Sequence, residues 1–280
     1  MNTMPSISLP DGAAIPVLGQ GTWQMAERRA RRAEEIAALR AGIDLGMTLI
    51  DTAEMYGDGA AEELVAEAIA GRRGEVFLVS KVLPQNATRQ GTIKACERSL
   101  QRLRTDYLDL YLLHWRGSIP LSETVAAFDA LMQAGKIRRW GVSNFDTDDI
   151  EDLLALPGGK AVATNQGLFN LTRRGIERDL IPWSRRHNIP LMAYSPIEQG
   201  RLLRQAALRK IAERLKATPA QVALAWVLAL PDICAIPKAG STPHVRENHG
   251  ALQLGLTPQD MAALDAAFPP PKKKVPLEMI

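Results

Sequence analysis

Four residues could do proton chemistry together if the fold brings them to one place. Asp51 closes the apolar run "TLIDT", and Tyr56 follows five residues later in "AEMYG". Lys81 ends "VFLVSK" and His114 ends "YLLH". A free phenol has a pKa near ~10, a weak acid at neutral pH. An ammonium beside it favours the phenolate and should lower the Tyr56 pKa, and a carboxylate beside the ammonium keeps it charged and pinned. A histidine can donate to a carbonyl oxygen and stabilise negative charge developing there. The set suits protonation of a carbonyl oxygen while a hydride reaches its carbon. No amino acid supplies a hydride, so a cofactor must. Taken singly, each residue has an ordinary alternative: Asp51 as a helix cap, Lys81 as a solvated strand end, His114 as a hydrogen-bonded structural group.

Only a particular architecture can gather them. "SISLPDGAAIPVLG" reads as two short strands around Pro-Asp-Gly, a hairpin. Eight strand-like runs then follow at 16–23, 47–52, 75–82, 107–115, 137–145, 161–166, 189–196 and 232–238. Between them lie stretches of helical periodicity, such as 33–46, 92–104, 122–136 and 218–230. Ser122 is the expected N-cap and Gly135 the expected stop of the third of these, and Pro219 suits the first turn of the fourth. Strand-helix alternation implies parallel strands, and eight units in this length predict an α/β fold, a (β/α)8 TIM barrel with an N-terminal β-hairpin. An open dinucleotide-binding sheet would carry G-x-G-x-x-G after its first strand, and "GQGTWQM" has only the first two glycines. No linker or low-complexity segment interrupts residues 1–280, which predicts one domain.

In a barrel the C-terminal strand ends converge on one mouth. Here they carry Gly21, Thr22 and Trp23; Asp51 and Tyr56; Lys81; His114 and Trp115; Ser143 and Asn144; Gln166; Tyr194 and Ser195; and Lys238. The ordered motifs "LIDTAEMYG", "LVSKV", "YLDLYLLHW", "GVSNF", "NQ", "AYSP" and "IPKA…EN" resemble the aldo-keto reductases over nearly the whole chain, and the pattern is similar to bacterial branches that include methylglyoxal-reducing enzymes. The resemblance implies that Asp51, Tyr56, Lys81 and His114 are the catalytic four, with Tyr56 as general acid and base. It implies cofactor contacts at Gly21, Thr22, Trp23, Ser195 and Pro196, the nicotinamide amide against Ser143, Asn144 and Gln166, and its ring on Tyr194. Lys238, Ala239, Ser241, Thr242, His244, Arg246 and Asn248 then hold the adenosine end. Trp23 and Trp115 line the substrate pocket with Tyr56 and His114.

One departure bears on the cofactor. Relatives place a Ser after "IPK" and an Arg six residues beyond the Lys to grip the 2′-phosphate; this chain has Ala239 and His244, with Arg246 two residues further on. The expectation is NADP(H) as the preferred cofactor by a reduced margin, with NAD(H) measurably active. The short loop "RGSIPLS" and a short, proline-rich tail after Phe268 predict a small, open pocket for short aldehydes, ketones or dicarbonyls.

Composition narrows the alternatives. Net charge is only +3, and apart from "PKKK" at 271–274 the basic residues are dispersed, which does not point to nucleic acid. The N-terminus shows no secretory pattern, and the longest apolar run, 222–230, is too short to span a bilayer. Cys96 and Cys234 read as thiols of a reducing compartment, so a cytoplasmic setting is expected, and separately the chain is expected to act as a monomer. His114, His187, His244 and His249 lack metal-site spacing. Two other functions remain open: a lyase using Lys81 as a Schiff base, and a nucleotide-binding regulatory subunit of the kind that accompanies potassium channels.

Overall fold

The structure, a computed structural model, describes residues 4–280. A hairpin opens the chain: β1 (Ser6–Ser8) pairs antiparallel with β2 (Ala14–Pro16), as the Pro-Asp-Gly turn predicted. Among the described residues eight parallel strands follow in sequence order: β3 (Gln20–Gly21), β4 (Leu49–Asp51), β5 (Phe77–Val82), β6 (Leu110–Leu113), β7 (Trp140–Ser143), β8 (Val162–Leu168), β9 (Leu191–Tyr194) and β10 (Ile233–Ala235). Bridges from Leu18 to Ala235 and from Gly21 to Lys238 join the first of these to the last and close the barrel. Closure needs a glycine there, because a Cβ on Gly21 would lie 2.7 Å from the Ile236 carbonyl oxygen.

The helices α1 (Arg32–Asp44), α2 (Ala60–Ala68), α3 (Arg89–Leu103), α4 (Leu121–Gln133), α5 (Thr147–Leu154) and α6 (Leu180–His187) each follow a strand. The pair α7 (Ala206–Leu215) and α8 (Pro219–Leu228) precedes β10, and α9 (Thr242–Gly250) and α10 (Pro258–Ala267) come after it. Pro219 opens α8 behind a Thr218–Gln221 capping box, and Gly135 follows α4 at φ 69°. The expected Ser122 cap is corrected. Helix α4 begins at Leu121 with Pro120 as its N-cap, so Ser122 lies in the first turn. Leu121 is buried in the core, and Pro120 already has the extended ψ that a cap requires.

Alternation along the strands splits the apolar residues into two layers. Leu49, Val79, Leu110, Leu112, Met192, Cys234 and Ile236 fill the barrel, closed at the bottom by Leu9 and Ile15 of the hairpin. Ile50, Leu78, Tyr111, Trp140, Val142, Leu191 and Ile233 face outward under the helices. This period of two is what positions the site. Asp51 stands two residues beyond Leu49, Lys81 beyond Val79, His114 beyond Leu112, Tyr194 beyond Met192 and Lys238 beyond Ile236. Strand β8 breaks the count. The pairing with β7 shifts from Trp140–Val162 to Val142–Asn165, an extra residue on β8. Asn165 then donates sideways to the Phe145 carbonyl (2.8 Å), and Gln166 points at Asp51.

Candidate active site

Lys81 is fully buried, and its three N–H donors have three acceptors: Asp51 Oδ2 at 2.7 Å, the Thr52 carbonyl at 2.9 Å and Tyr56 Oη at 3.0 Å. The second Asp51 oxygen accepts from Gln166 Nε2 at 2.8 Å, and Thr22 Oγ1 donates to the Asp51 carbonyl at 3.0 Å. Both carboxylate oxygens are therefore engaged. Because Tyr56 Oη accepts from Lys81, its own proton is left to donate, and the Tyr56 ring lines a cavity of about 700 Å³.

The electrostatics follow from burial. Burial alone would lower Lys81, but the charges of Asp51 and Tyr56 and their hydrogen bonds outweigh it and the ammonium is stabilised. For Tyr56 burial is again the largest influence and raises the phenol; Lys81 opposes it, Asp51 adds to it, and the net shift is upward. The expected lowering of Tyr56 is thereby corrected. Lys81 does favour the phenolate, but desolvation of a buried anion costs more. Tyr56 is a protonated phenol at neutral pH, the form required of a proton donor.

His114 stands beside Tyr56, their ring centroids 5.8 Å apart. Burial first, and then the Lys81 charge, push its pKa down to about 2. Its Nδ1 is buried and meets no partner among the described residues. A proton there would be an unsatisfied buried donor, so the neutral ring carries its proton on Nε2, where it can donate to a carbonyl oxygen. The expected result is a reduction rate without an inflection near the ordinary imidazole value of about 6.5. A kcat/KM profile between pH 5 and 8 tests this, and a drop on the acid side with that midpoint would show that His114 titrates.

The remaining strand ends furnish one continuous wall. Asn144, at φ 56°, donates to the His114 carbonyl and to Ser143 Oγ (both 3.1 Å) and accepts from the Tyr194 hydroxyl at 2.9 Å. The asparagine side chain tolerates this left-handed backbone. Trp23, 39% exposed, meets Tyr56 edge-on at 5.0 Å, and Trp115 lies 5.0 Å from His114. Of the sequence-predicted residues, Gly21, Trp23, Asp51, Tyr56, His114, Trp115, Ser143, Asn144, Gln166, Tyr194, Ser195, Pro196, Lys238, His244 and Asn248 all line the cavity. Lys81 lies just behind it. Thr22, Ala239, Ser241, Thr242 and Arg246 do not line it: Thr22 is turned onto Asp51, Ala239 is buried, and Arg246 is on the exposed side of α9.

Sequence reasoning missed the end of the chain. Met279 and Ile280 line the cavity, held there by Glu278 on Arg173 (2.6 Å) and by Arg178 on the Pro271 carbonyl (2.6 Å). The short tail thus contributes two residues to the pocket wall. No local pattern in "PKKKVPLEMI" announces that path; only the ion pair with Arg173 reveals it.

The cavity suits a nicotinamide nucleotide. One end presents the Asp51–Tyr56–His114 group and the amide-bearing Asn144 and Gln166, and the other presents the Lys238 ammonium ahead of α9 and Asn248 further along that helix. The first turn of α9 has no side-chain cap, which leaves backbone N–H groups for an anion.

Comparison with known proteins agrees with this geometry. A model of the Aldo/keto reductase family matches residues 17–268. Methylglyoxal reductase YeaE of Escherichia coli (strain K12) is 53% identical over 279 residues, covering 98% of each chain. A glyoxal reductase of Bacillus subtilis (strain 168) is 33% identical over 93% of this chain and 92% of its own. The crystal structure of an aldo/keto reductase from Klebsiella pneumoniae in complex with NADP and acetate superposes with a TM-score of 0.96 at 50% identity, covering 99% of this chain and 100% of that one.

Proposed function

The chain belongs to the aldo/keto reductase family and is an NADPH-dependent carbonyl reductase; from that premise we propose that it reduces methylglyoxal and similar short dicarbonyls and aldehydes, with Tyr56 as the proton donor. One observation carries the reading: Lys81 gives its third hydrogen bond to Tyr56 Oη, so a protonated phenol is held at the cavity with its hydrogen free. NADPH, when bound, supplies the hydride.

The chain's own residues do the rest. His114 Nε2–H orients the carbonyl oxygen and favours negative charge on it, and Tyr56 delivers a proton to that same oxygen. Lys81 stabilises the phenolate left behind, and Asp51, fixed by Gln166 and Thr22, keeps Lys81 charged and in place. Trp23, Trp115 and the tail residues Met279 and Ile280 border the same cavity and give it apolar walls beside the reacting centre. All of these groups come from one chain, so the site needs no second copy to be complete, and the buried thiols of Cys96 and Cys234 suit the cytoplasm as the proposed setting.

The Schiff-base alternative fails on the same geometry, since a lysine with three acceptors and a raised pKa has no lone pair for attack on a carbonyl. Purified protein is expected to oxidise NADPH in the presence of methylglyoxal, and NADH more slowly. Nucleotide binding without turnover of any dicarbonyl or short aldehyde would move the assignment to a regulatory subunit.

A further inference from the structure

With His244 at the position where relatives carry an arginine, the adenosine end is short of that guanidinium on α9 itself. Helix α1 supplies one. Arg31, at the N-terminal edge of α1, donates through Nη2 to the Gly240 carbonyl at 3.2 Å, across 209 residues of sequence. A Cβ built on Gly240 would lie 3.0 Å from Arg31 Nη2 and 3.3 Å from Lys238 Nζ. Two cations from opposite ends of the chain thus meet over one glycine, beside the uncapped first turn of α9. The only acid bonded to the pair among the described residues is Glu34, 3.3 Å from Arg31 Nε with half its side chain exposed. Like charges brought together in this way repel unless an anion lies between them, and an open helix start favours the same sign of ligand. Planar guanidinium and point-charge ammonium together suit a phosphate dianion, the first by bidentate bonds and the second by charge.

We propose that Arg31 is a specificity-determining residue that, with Lys238, binds the 2′-phosphate of NADPH and takes over the work of the arginine that His244 replaces. The inference rests on the reading of the protein as an NADPH-dependent reductase.

The test is binding of 2′,5′-ADP and of 5′-ADP to the ligand-free protein by calorimetry, together with kcat/KM for NADPH and NADH with methylglyoxal. Arg31→Ala should weaken 2′,5′-ADP by about 10- to 150-fold, the range for one charge-assisted contact, and lower the NADPH/NADH ratio by a similar factor. Affinity for 5′-ADP should change by less than about twofold, since no 2′-phosphate is present to lose a bond. Arg31→Lys, which keeps the charge without the fork, should fall between. Adding His244→Arg to Arg31→Ala should recover part of the loss, as the guanidinium returns from α9. Equal weakening of both nucleotides, or no weakening of 2′,5′-ADP in a folded Arg31→Ala protein that still reduces methylglyoxal, overturns the assignment to Arg31 alone. A wild type that neither binds 2′,5′-ADP nor uses NADPH overturns the reductase reading and this inference with it.

Discussion

Tyr56→Phe should lower carbonyl reduction by at least ~10²-fold, the minimum usually lost with a general acid, while NADPH affinity stays within about twofold. The substitution removes one oxygen and nothing else. The ring keeps its edge-on contact with Trp23 at 5.0 Å and its packing on Ala53 and Ala61. Lys81 keeps Asp51 and the Thr52 carbonyl as acceptors, so the buried cation is not orphaned. The fold should survive, and thermal unfolding would confirm it. The pH dependence carries the same information. Burial holds the phenol above its ordinary value, so the donor form persists as pH rises through neutrality, and the wild-type reduction rate should fall only beyond about pH 10, the unperturbed phenol value. Reduction by the Phe variant at near wild-type rate would remove Tyr56 from the mechanism.

Lys81→Met is the second large effect, and it acts on stability as well as rate. Asp51 is 2% exposed and loses its ion pair, keeping only the Gln166 amide on the other oxygen. Breaking one side of a buried pair costs about 3–5 kcal/mol, because the surviving carboxylate, left with one amide, has lost its counter-charge. The phenolate of Tyr56 also loses its counter-charge, so turnover should fall by ~10²-fold or more. Combining Lys81→Met with Asp51→Asn separates the two consequences. With the carboxylate gone, the unfolding free energy should recover most of its loss, while reduction stays impaired. Urea titration and single-turnover rates report the two quantities independently. A double variant as unstable as Lys81→Met would mean that packing of the lysine stem, not its charge, holds this region.

The arrangement of the barrel and four of its reactive groups was legible in the chain because both depend on short-range periodicity. Parallel strands enclosed by helices are apolar runs, and their closing polar residues declare a shared mouth once the strands are counted. Asp51, Lys81 and His114 each follow an inward apolar residue by two positions, so alternation alone aims them into the barrel. Other features were decided only by packing between distant segments. The extra residue in β8 reverses which of Asn165 and Gln166 faces inward, and that depends on register with β7. Whether the phenol rises or falls was set by burial against the Lys81 charge, a balance that needs coordinates. Pro120 rather than Ser122 caps α4 because Leu121 packs into the core. The return of Met279 and Ile280 to the cavity, and the meeting of Arg31 with Lys238 over Gly240, have no local signature at all. A sequence encodes its own periodicity directly, whereas contacts between residues hundreds of positions apart exist only once the barrel has closed and brought α1 beside α9.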